Sequence, residues 1–395
     1  MLNPIFSFFL KYQAIILFYL IIIIWLIIKR KKLDYQARII ILYRMKFGLR
    51  FIEKISKKYR EWIRLLGYIG MGAGYVGLIV ISYVLIKNLW DLFTQPAMTS
   101  GVSLVLPGIS VPGMGVLPFW YWILAIFIIA LVHEFSHGIV ARAHDIPVKN
   151  TGMVFLGPII GAFVEPNEDK LRKQSDIAQY SVLAAGSFSN ILLALFALVI
   201  LSFVFVPIQN TLTEPTGFTF SAYYNDSLPF AKAGIQPNTL ITGINNKPIS
   251  DFYQFSDELI CLSPGDQVKV ATANKSHYLT LAASPDNPDR GFLGIQDIKN
   301  EVSLKEEYQT VFWQNTYAIL LWVIGFLRWL FLLSLGIGLF NLLPLPIVDG
   351  GRMMQVTLHK LSGEKKGERH YYLISMFFLF VLLLNLFYPY ISKLF

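Results

Sequence analysis

The sequence predicts a polytopic α-helical membrane protein of about six transmembrane helices, with an inserted extracytoplasmic domain that is mostly β. Three observations carry that prediction. Hydrophobic residues make up 55% of the 395 and charged residues only 15%, with a mean hydropathy of +0.53, which is too apolar for a soluble globular chain. Six apolar stretches are long enough to cross a hydrocarbon core of roughly 30 Å. Between the fourth and the fifth, residues 207–307 switch to polar residues, turn signals and short strands, long enough to bury a core of their own.

Charge and cysteine content narrow the function classes. A net charge of +9 would suit nucleic acid, but residues 29–64 alone hold thirteen Lys and Arg against three Asp and Glu. The basicity belongs to one loop, so the expected partner is the lipid bilayer and not nucleic acid. The single cysteine, Cys261, excludes an intramolecular disulfide framework and a Cys-based zinc site, and is expected to plug a small core.

In chain order, residues 5–28 form the first span. It is followed by Lys29, Arg30, Lys31 and Lys32, the reverse of a cleaved signal peptide, so a retained helix with its N-terminus outside is expected. The basic segment is then cytoplasmic. From Ile39 to Ile63 it alternates apolar and basic residues at helical spacing, as a helix lying on anionic lipid would. Residues 67–90 return outward, with Gly70, Gly72, Gly74 and Gly77 suited to close helix approach. The Gly/Pro-rich loop 91–118 reads as a short extended or re-entrant element, and the third span, 119–140, runs inward.

Residues 151–166 read as a hairpin. It could offer an exposed edge to an extended peptide by strand addition or serve the structure alone, and both readings stand. Residues 180–206 form the fourth span, where Gly186 and Asn190 share one helical face. The domain after it is acidic, with twelve Asp and Glu against seven Lys and Arg over residues 207–312, which places it outside by the positive-inside rule. Residues 320–340 run inward and end in a stretch where two prolines and two glycines break the helix around Asp349. Residues 371–387 carry the C-terminus outside. The chain thus divides at 1–90, 91–118, 119–206, 207–307 and 308–395, as a multi-pass protein of the cell membrane.

The chemistry sits in the third span. LVHEFSHG, residues 131–138, places His133 and His137 four residues apart on one helical face, the spacing that lets two imidazoles hold a Zn²⁺ while Glu134 handles a proton of water. The topology delivers Asp349 to the same depth, on the cytoplasmic side of the midplane. A buried carboxylate there is relieved by a cation. Two His and one carboxylate leave a tetrahedral position open, a catalytic arrangement for one zinc per chain that suits peptide hydrolysis. Asn190 and Asn341 are the polar side chains at a depth suited to stabilising an oxyanion, and the residues do not choose between them.

HEFSH in one helix, GSFSN in the next and NLLPLPIVDGG in a later one resemble the site-2 protease family of intramembrane zinc metalloproteases, over residues 119–359. The resemblance implies zinc ligation by His133, His137 and Asp349, Glu134 as catalytic base, substrate contacts at Asn190 and Asn341, and cleavage of single-pass transmembrane proteins. Ser187 stands where the family often has Pro, and Val348 where Leu commonly precedes the Asp. The inserted domain resembles the PDZ domains carried by such proteases, through SLPFAKAGIQPNTLITGINNKPI, SPGDQVKV and GFLGI. Asn238-Thr239 and Asn245-Asn246 replace glycine-containing turns, and Asn tolerates the left-handed conformation those turns need. The PDZ likeness implies binding of peptide termini, with a carboxylate loop at Gly291, Phe292, Leu293 and Gly294. A size filter against bulky exterior domains is the equal alternative.

A metal-binding transporter or sensor using the same ligands would show inverted repeats and polar residues along its whole path, whereas here they collect at one depth. A catalytically silent protein that binds membrane helices has no use for Glu134.

Overall fold

A computed structural model describes residues 4–36, 40–46, 48–94, 102, 105–111, 115–157, 159–285 and 287–391. The chain forms two compact units, residues 1–201 with 325–395, and residues 202–324. Among the described residues six helices are long and apolar enough to cross a membrane, as the hydropathy predicts.

The first helix, α1 (Pro4–Lys29), is followed by strands β1 (Leu33–Gln36) and β2 (Ile40–Met45), the short helix α2 (Leu49–Lys58) and the long helix α3 (Arg60–Thr94). The helix expected along residues 39–63 is therefore a strand, a separate helix and the first turn of α3; Ile39 lies outside the described residues. Ile40, Ile41, Leu42 and Tyr43 are consecutive β-branched, branched and aromatic residues, and a neighbouring strand takes up their backbone groups. Gly48, at φ +86°, separates strand from helix, and a Cβ there would lie 2.6 Å from the Phe135 ring. In α2 Ile52 is buried, while Arg50, Lys54, Lys57 and Lys58 are exposed.

Helix α3 begins earlier than the predicted span and at 35 residues is about 52 Å long, more than a hydrocarbon core requires. Lipid-soluble helices gain no hydrophobic advantage from meeting, so close approach depends on small residues. Added Cβ atoms at Gly70 and Gly77 would lie 2.9 Å from Phe188 and 2.5 Å from Leu342, and one at Gly74 would lie 3.0 Å from Met353, whereas Gly72 faces open space. Part of stretch 91–118 lies outside the described residues. The rest includes a short antiparallel pair, β3 (Ser110–Val111) with β4 (Gly115–Val116).

Helix α4 (Phe119–Ala143) leads into β5 (Val148–Leu156) and β6 (Ile159–Pro166), the predicted hairpin. Strand β5 also pairs with β2, giving an antiparallel sheet in the order β1-β2-β5-β6 with β6 at one edge. After the one-turn α5 (Glu168–Arg172), α6 (Asp176–Ile200) starts on the Ser175 hydroxyl, which accepts from the Ala178 N–H, and continues through a π-helical turn (Leu201–Phe205) into α7 (Val206–Leu212).

The inserted unit is built on β7 (Thr213–Tyr223), α8 (Pro229–Lys232), β8 (Ile241–Ile244), β9 (Lys247–Pro248), α9 (Phe252–Leu259), β10 (Gln267–Thr272), β11 (Ser276–Thr280), β12 (Ala282–Ala283), β13 (Gly291–Phe292) and β14 (Ile295–Leu304). Its main sheet runs β11-β10-β8-β7-β14, with β9 paired to β8. Phe218, Phe220, Phe230 and Phe255 are fully buried with Ile241, Ile244 and Val270 in one core. Asn238, Asn245 and Asn246 adopt φ +65°, +50° and +66°, the left-handed turns expected of them. Cys261 is exposed just past α9 and fills no core position, because the apolar positions of that helix are taken by Phe255 and Leu259.

One continuous helix, α10 (Val311–Phe340), contains the predicted fifth span. Helix α11 (Asp349–Ser362) precedes α12 (Glu364–Ile391), whose middle is the predicted sixth.

Candidate metal centre

Helix α4 turns His133 and His137 toward each other in its C-terminal half, with their Nε2 atoms 3.2 Å apart. Asp349 comes from a different local structure than its sequence suggests. Pro344 and Pro346 do interrupt the chain after α10, but Gly350 and Gly351 do not break a helix; they form the first turn of α11. A Cβ at Gly350 would lie 2.2 Å from Leu342 O, and one at Gly351 would lie 1.7 Å from Leu345 O. The glycine pair lets the new helix start directly against the turn that ends the old one, and the Gly350 N–H donates to Asn341 O at 2.8 Å. Asp349 thus sits at a helix N-terminus, where the positive end of the backbone dipoles favours a carboxylate.

Its Oδ2 lies 3.3 Å from His133 Nε2 and 3.4 Å from His137 Nε2. Zinc ligands at roughly 2.0–2.1 Å, arranged tetrahedrally, stand about 3.3 Å from one another. The three observed separations match the edges of one face of that tetrahedron, and the donor set of two imidazoles and one carboxylate is chemically suited to zinc. The three side chains are 12–13% exposed, so the face is shielded without being sealed.

A cavity of about 430 Å³ opens onto this triangle, lined by Glu134, Val164, Asn190, Asn341, Val348 and Arg352 among others. Glu134 Oε2 accepts the Val164 N–H of the edge strand β6 at 3.2 Å, which ties the predicted base to the predicted hairpin. Asn341 is half-buried and lines the cavity. Asn190 is fully buried, and its side-chain amide lies 3.1 Å from His133 Nδ1, on the side of the ring away from Asp349.

Three contacts of the site are not readable from the sequence, although Gly186 and Ser187 themselves are noted there. The His137 Nδ1–H donates to Val182 O at 2.7 Å, the Ser187 hydroxyl donates to Asp349 Oδ2 at 3.1 Å, and the space for both rings is left by Gly186, where a Cβ would lie 2.4–2.5 Å from the two imidazoles. The Gly186–Asn190 spacing in GSFSN was the available signal. Neither Ser187 nor a backbone carbonyl announces its distant partner.

In the inserted unit the Gly291 N–H donates to Leu262 O at 3.1 Å, Phe292 pairs with Ala282, Leu293 is buried, and Gly294 at φ +81° packs against Leu228. A separate groove of about 460 Å³ is lined by Pro229, Lys232, Tyr278, Leu281 and neighbours.

Residues 121–384, more than half of the chain, match peptidase family M50. The chain is 25% identical over 352 residues to an uncharacterized protein of Methanocaldococcus jannaschii, covering 87% of this chain and 86% of that one. It is 22% identical over 238 residues to the zinc metalloprotease RasP of Oceanobacillus iheyensis, covering 48% and 54%. With the regulator of sigma-E protease RseP of Escherichia coli it shares 23% over 190 residues, covering 35% and 42%. The alignments with these two proteases span less than two thirds of their lengths. By the extent of its match, the chain belongs to peptidase family M50, the site-2 protease family of zinc metalloproteases.

Proposed function

We propose that this chain is an intramembrane zinc endopeptidase that hydrolyses peptide bonds within or beside the transmembrane segments of single-pass membrane proteins. The observation that carries the reading is the triangle of His133, His137 and Asp349 donor atoms at tetrahedral spacing, with Glu134 on the same cavity wall.

His133, His137 and Asp349 would hold one zinc ion. When bound, zinc polarises a carbonyl and makes water a stronger acid. Glu134 takes the proton of the attacking water and returns it to the leaving amine. The Val164 N–H holds the Glu134 carboxylate toward the strand edge. Asn341, free of the histidines and lining the cavity, is the better placed of the two asparagines to meet the substrate, while Asn190 is engaged with His133. Peptide bonds in a membrane helix are shielded by that helix's own hydrogen bonds, so a substrate must unwind before it is cut. Strand β6 supports the idea that the unwound segment is held by strand addition, because it is a sheet edge that reaches Glu134.

The basic segment 29–64 and the acidic insert support a topology with both termini and the insert extracytoplasmic and the metal centre on the cytoplasmic side of the midplane. Labelling of a cysteine placed at Asp266 from outside intact cells tests it; labelling only after lysis inverts the topology. For the insert, the groove beside Lys232 and Tyr278 supports a PDZ-like role in binding peptide termini; the Gly291–Gly294 loop, expected as its carboxylate cradle, does not line that groove, and its Gly291 N–H is engaged by Leu262 O. Substrates whose exterior domains are shortened stepwise test the size-filter alternative.

The deciding experiment is cleavage of a single-pass substrate in detergent, with zinc measured in parallel. Glu134→Ala is expected to keep zinc and lose cleavage, and Asp349→Ala to lose both. Undiminished cleavage by Glu134→Ala would falsify the mechanism. Zinc binding without cleavage in the unaltered chain would leave a transporter or sensor.

A further inference from the structure

Helix α6 supplies no metal ligand, yet it touches all three. Val182, Gly186 and Asn190 recur every four residues along one face, and Ser187 lies beside them, so one stripe of the helix confronts the whole triangle. Each position has a separate job. The Val182 carbonyl accepts the His137 Nδ1–H at 2.7 Å, which leaves the Nε2 lone pair directed at the triangle. Gly186 leaves room for both rings.

Ser187 is fully buried, and its hydroxyl donates at 3.1 Å to Asp349 Oδ2, the oxygen that faces the two histidines. Proline at this position would have no hydroxyl to give. Asn190 is fully buried as well, with Nδ2 3.1 Å from His133 Nδ1 and an Oδ1 that has no hydrogen-bond partner. For His133 Nε2 to present a lone pair, its Nδ1 must carry the proton and needs an acceptor. The two ends of an amide have nearly the same shape, and turning the Asn190 amide over sets Oδ1 against that N–H, satisfying both groups at once. The helix is itself held in place: the Ser334 hydroxyl donates to Asn190 O at 2.7 Å, and Gly338 lets α10 approach, since a Cβ there would lie 3.1 Å from Asn190 Cβ.

We propose that Ser187 and Asn190 are positioning residues of the metal centre: the Ser187 hydroxyl orients the Asp349 carboxylate, and the Asn190 side chain holds His133 with its Nδ1 protonated and its Nε2 toward the metal. The inference rests on the zinc reading above and concerns residues that touch ligands, not substrate.

The test uses the full chain purified in detergent. Zinc affinity is read by competition with a chromogenic chelator, and geometry by the visible absorption of the cobalt-loaded protein. Loss of a group that orders a metal ligand weakens binding by roughly 10–100-fold, so Ser187→Ala and Asn190→Ala are each expected to fall in that range with altered cobalt bands. Ser187→Thr keeps the hydroxyl and Asn190→Asp keeps an acceptor; both are expected to restore zinc affinity to within a few-fold of the unaltered chain. Alanine variants with unchanged affinity and bands overturn the proposal, as do Thr and Asp variants as weak as Ala, which would show that packing alone is at stake. Asp349→Ala separates the two readings. If it loses zinc while the α6 alanine variants do not, only the positioning role fails; if it retains zinc fully, the metal assignment fails first.

Discussion

The two units solve opposite packing problems. In the insert, a sheet and two helices close over Phe218, Phe220, Phe230 and Phe255, so large apolar side chains leave water and specify the core by their volume. In the membrane unit apolar side chains are already in an apolar medium, and the specific contacts sit where a side chain is missing: Gly70, Gly74 and Gly77 on α3, Gly186 on α6, Gly350 and Gly351 on α11. One unit is specified by what fills space and the other by what leaves it open. The chemistry sits in the second kind of packing, because helices must approach closely for side chains from α4, α6 and α11 to converge.

The largest effect that would break this contrast is at Gly186. Gly186→Val puts branched carbon where even a Cβ would meet both imidazoles at 2.4–2.5 Å. Zinc content by metal analysis should drop to background and cleavage with it, and a variant that retains stoichiometric zinc would contradict the close-approach argument. Next is the insert: Phe255→Ala should cost about 3–5 kcal/mol in urea unfolding of that unit, as for other buried aromatics, while zinc content stays that of the unaltered chain. Loss of zinc there would show that the two units are not specified separately.

Smaller and sharper is the pair Gly77→Ala and Gly72→Ala. The first meets Leu342 at 2.5 Å and should lower the melting temperature; the second meets nothing and should be neutral or slightly stabilising, by up to about 1 kcal/mol from helix propensity. Equal effects would mean that glycine acts through the helix backbone and not through contact.

The smallest effect is electrostatic, where α2 braces α4. The Glu53 carboxylate accepts from Lys57 and Arg142, and these partners hold its pKa below the ordinary glutamate value. A lowered folded pKa means the contribution is present at neutral pH and is lost as pH falls through that folded value. The protection of α2 amides, exchange corrected for its intrinsic pH dependence, should therefore fall on acidification below about pH 4, near the ordinary glutamate value. In Glu53→Gln the step should vanish.

Much of the fold was legible because hydropathy and charge act over tens of residues. All six long apolar helices fall where composition predicts them, and the insert is marked by its polar strands and by Asn238, Asn245 and Asn246, whose tolerance of positive φ is local. The segment after α1 was not legible in this way. Apolar and basic residues alternate there in a manner that fits a helix, whereas β2 is a strand held between β1 and β5, the latter more than a hundred residues on and paired to it at Met153 and Val154. Cys261 was misplaced for the mirror reason: its residue type favours a core, and its neighbours had already filled one.

By itself the sequence singled out the candidate metal ligands and the candidate base. Two imidazoles four apart on a helix with a glutamate between them, and an aspartate at a break in a later helix, need only local geometry to be recognised. Tertiary structure alone decided how they are held. The hydrogen bond from Ser187 to Asp349 joins residues 162 apart, and the amide of Asn190 meets a histidine 57 residues away. Gly186 matters because of what stands opposite it, which no local pattern records. Ligand identity follows from residue type, whereas ligand orientation comes from contacts between distant helices, and those exist only once the helices have packed.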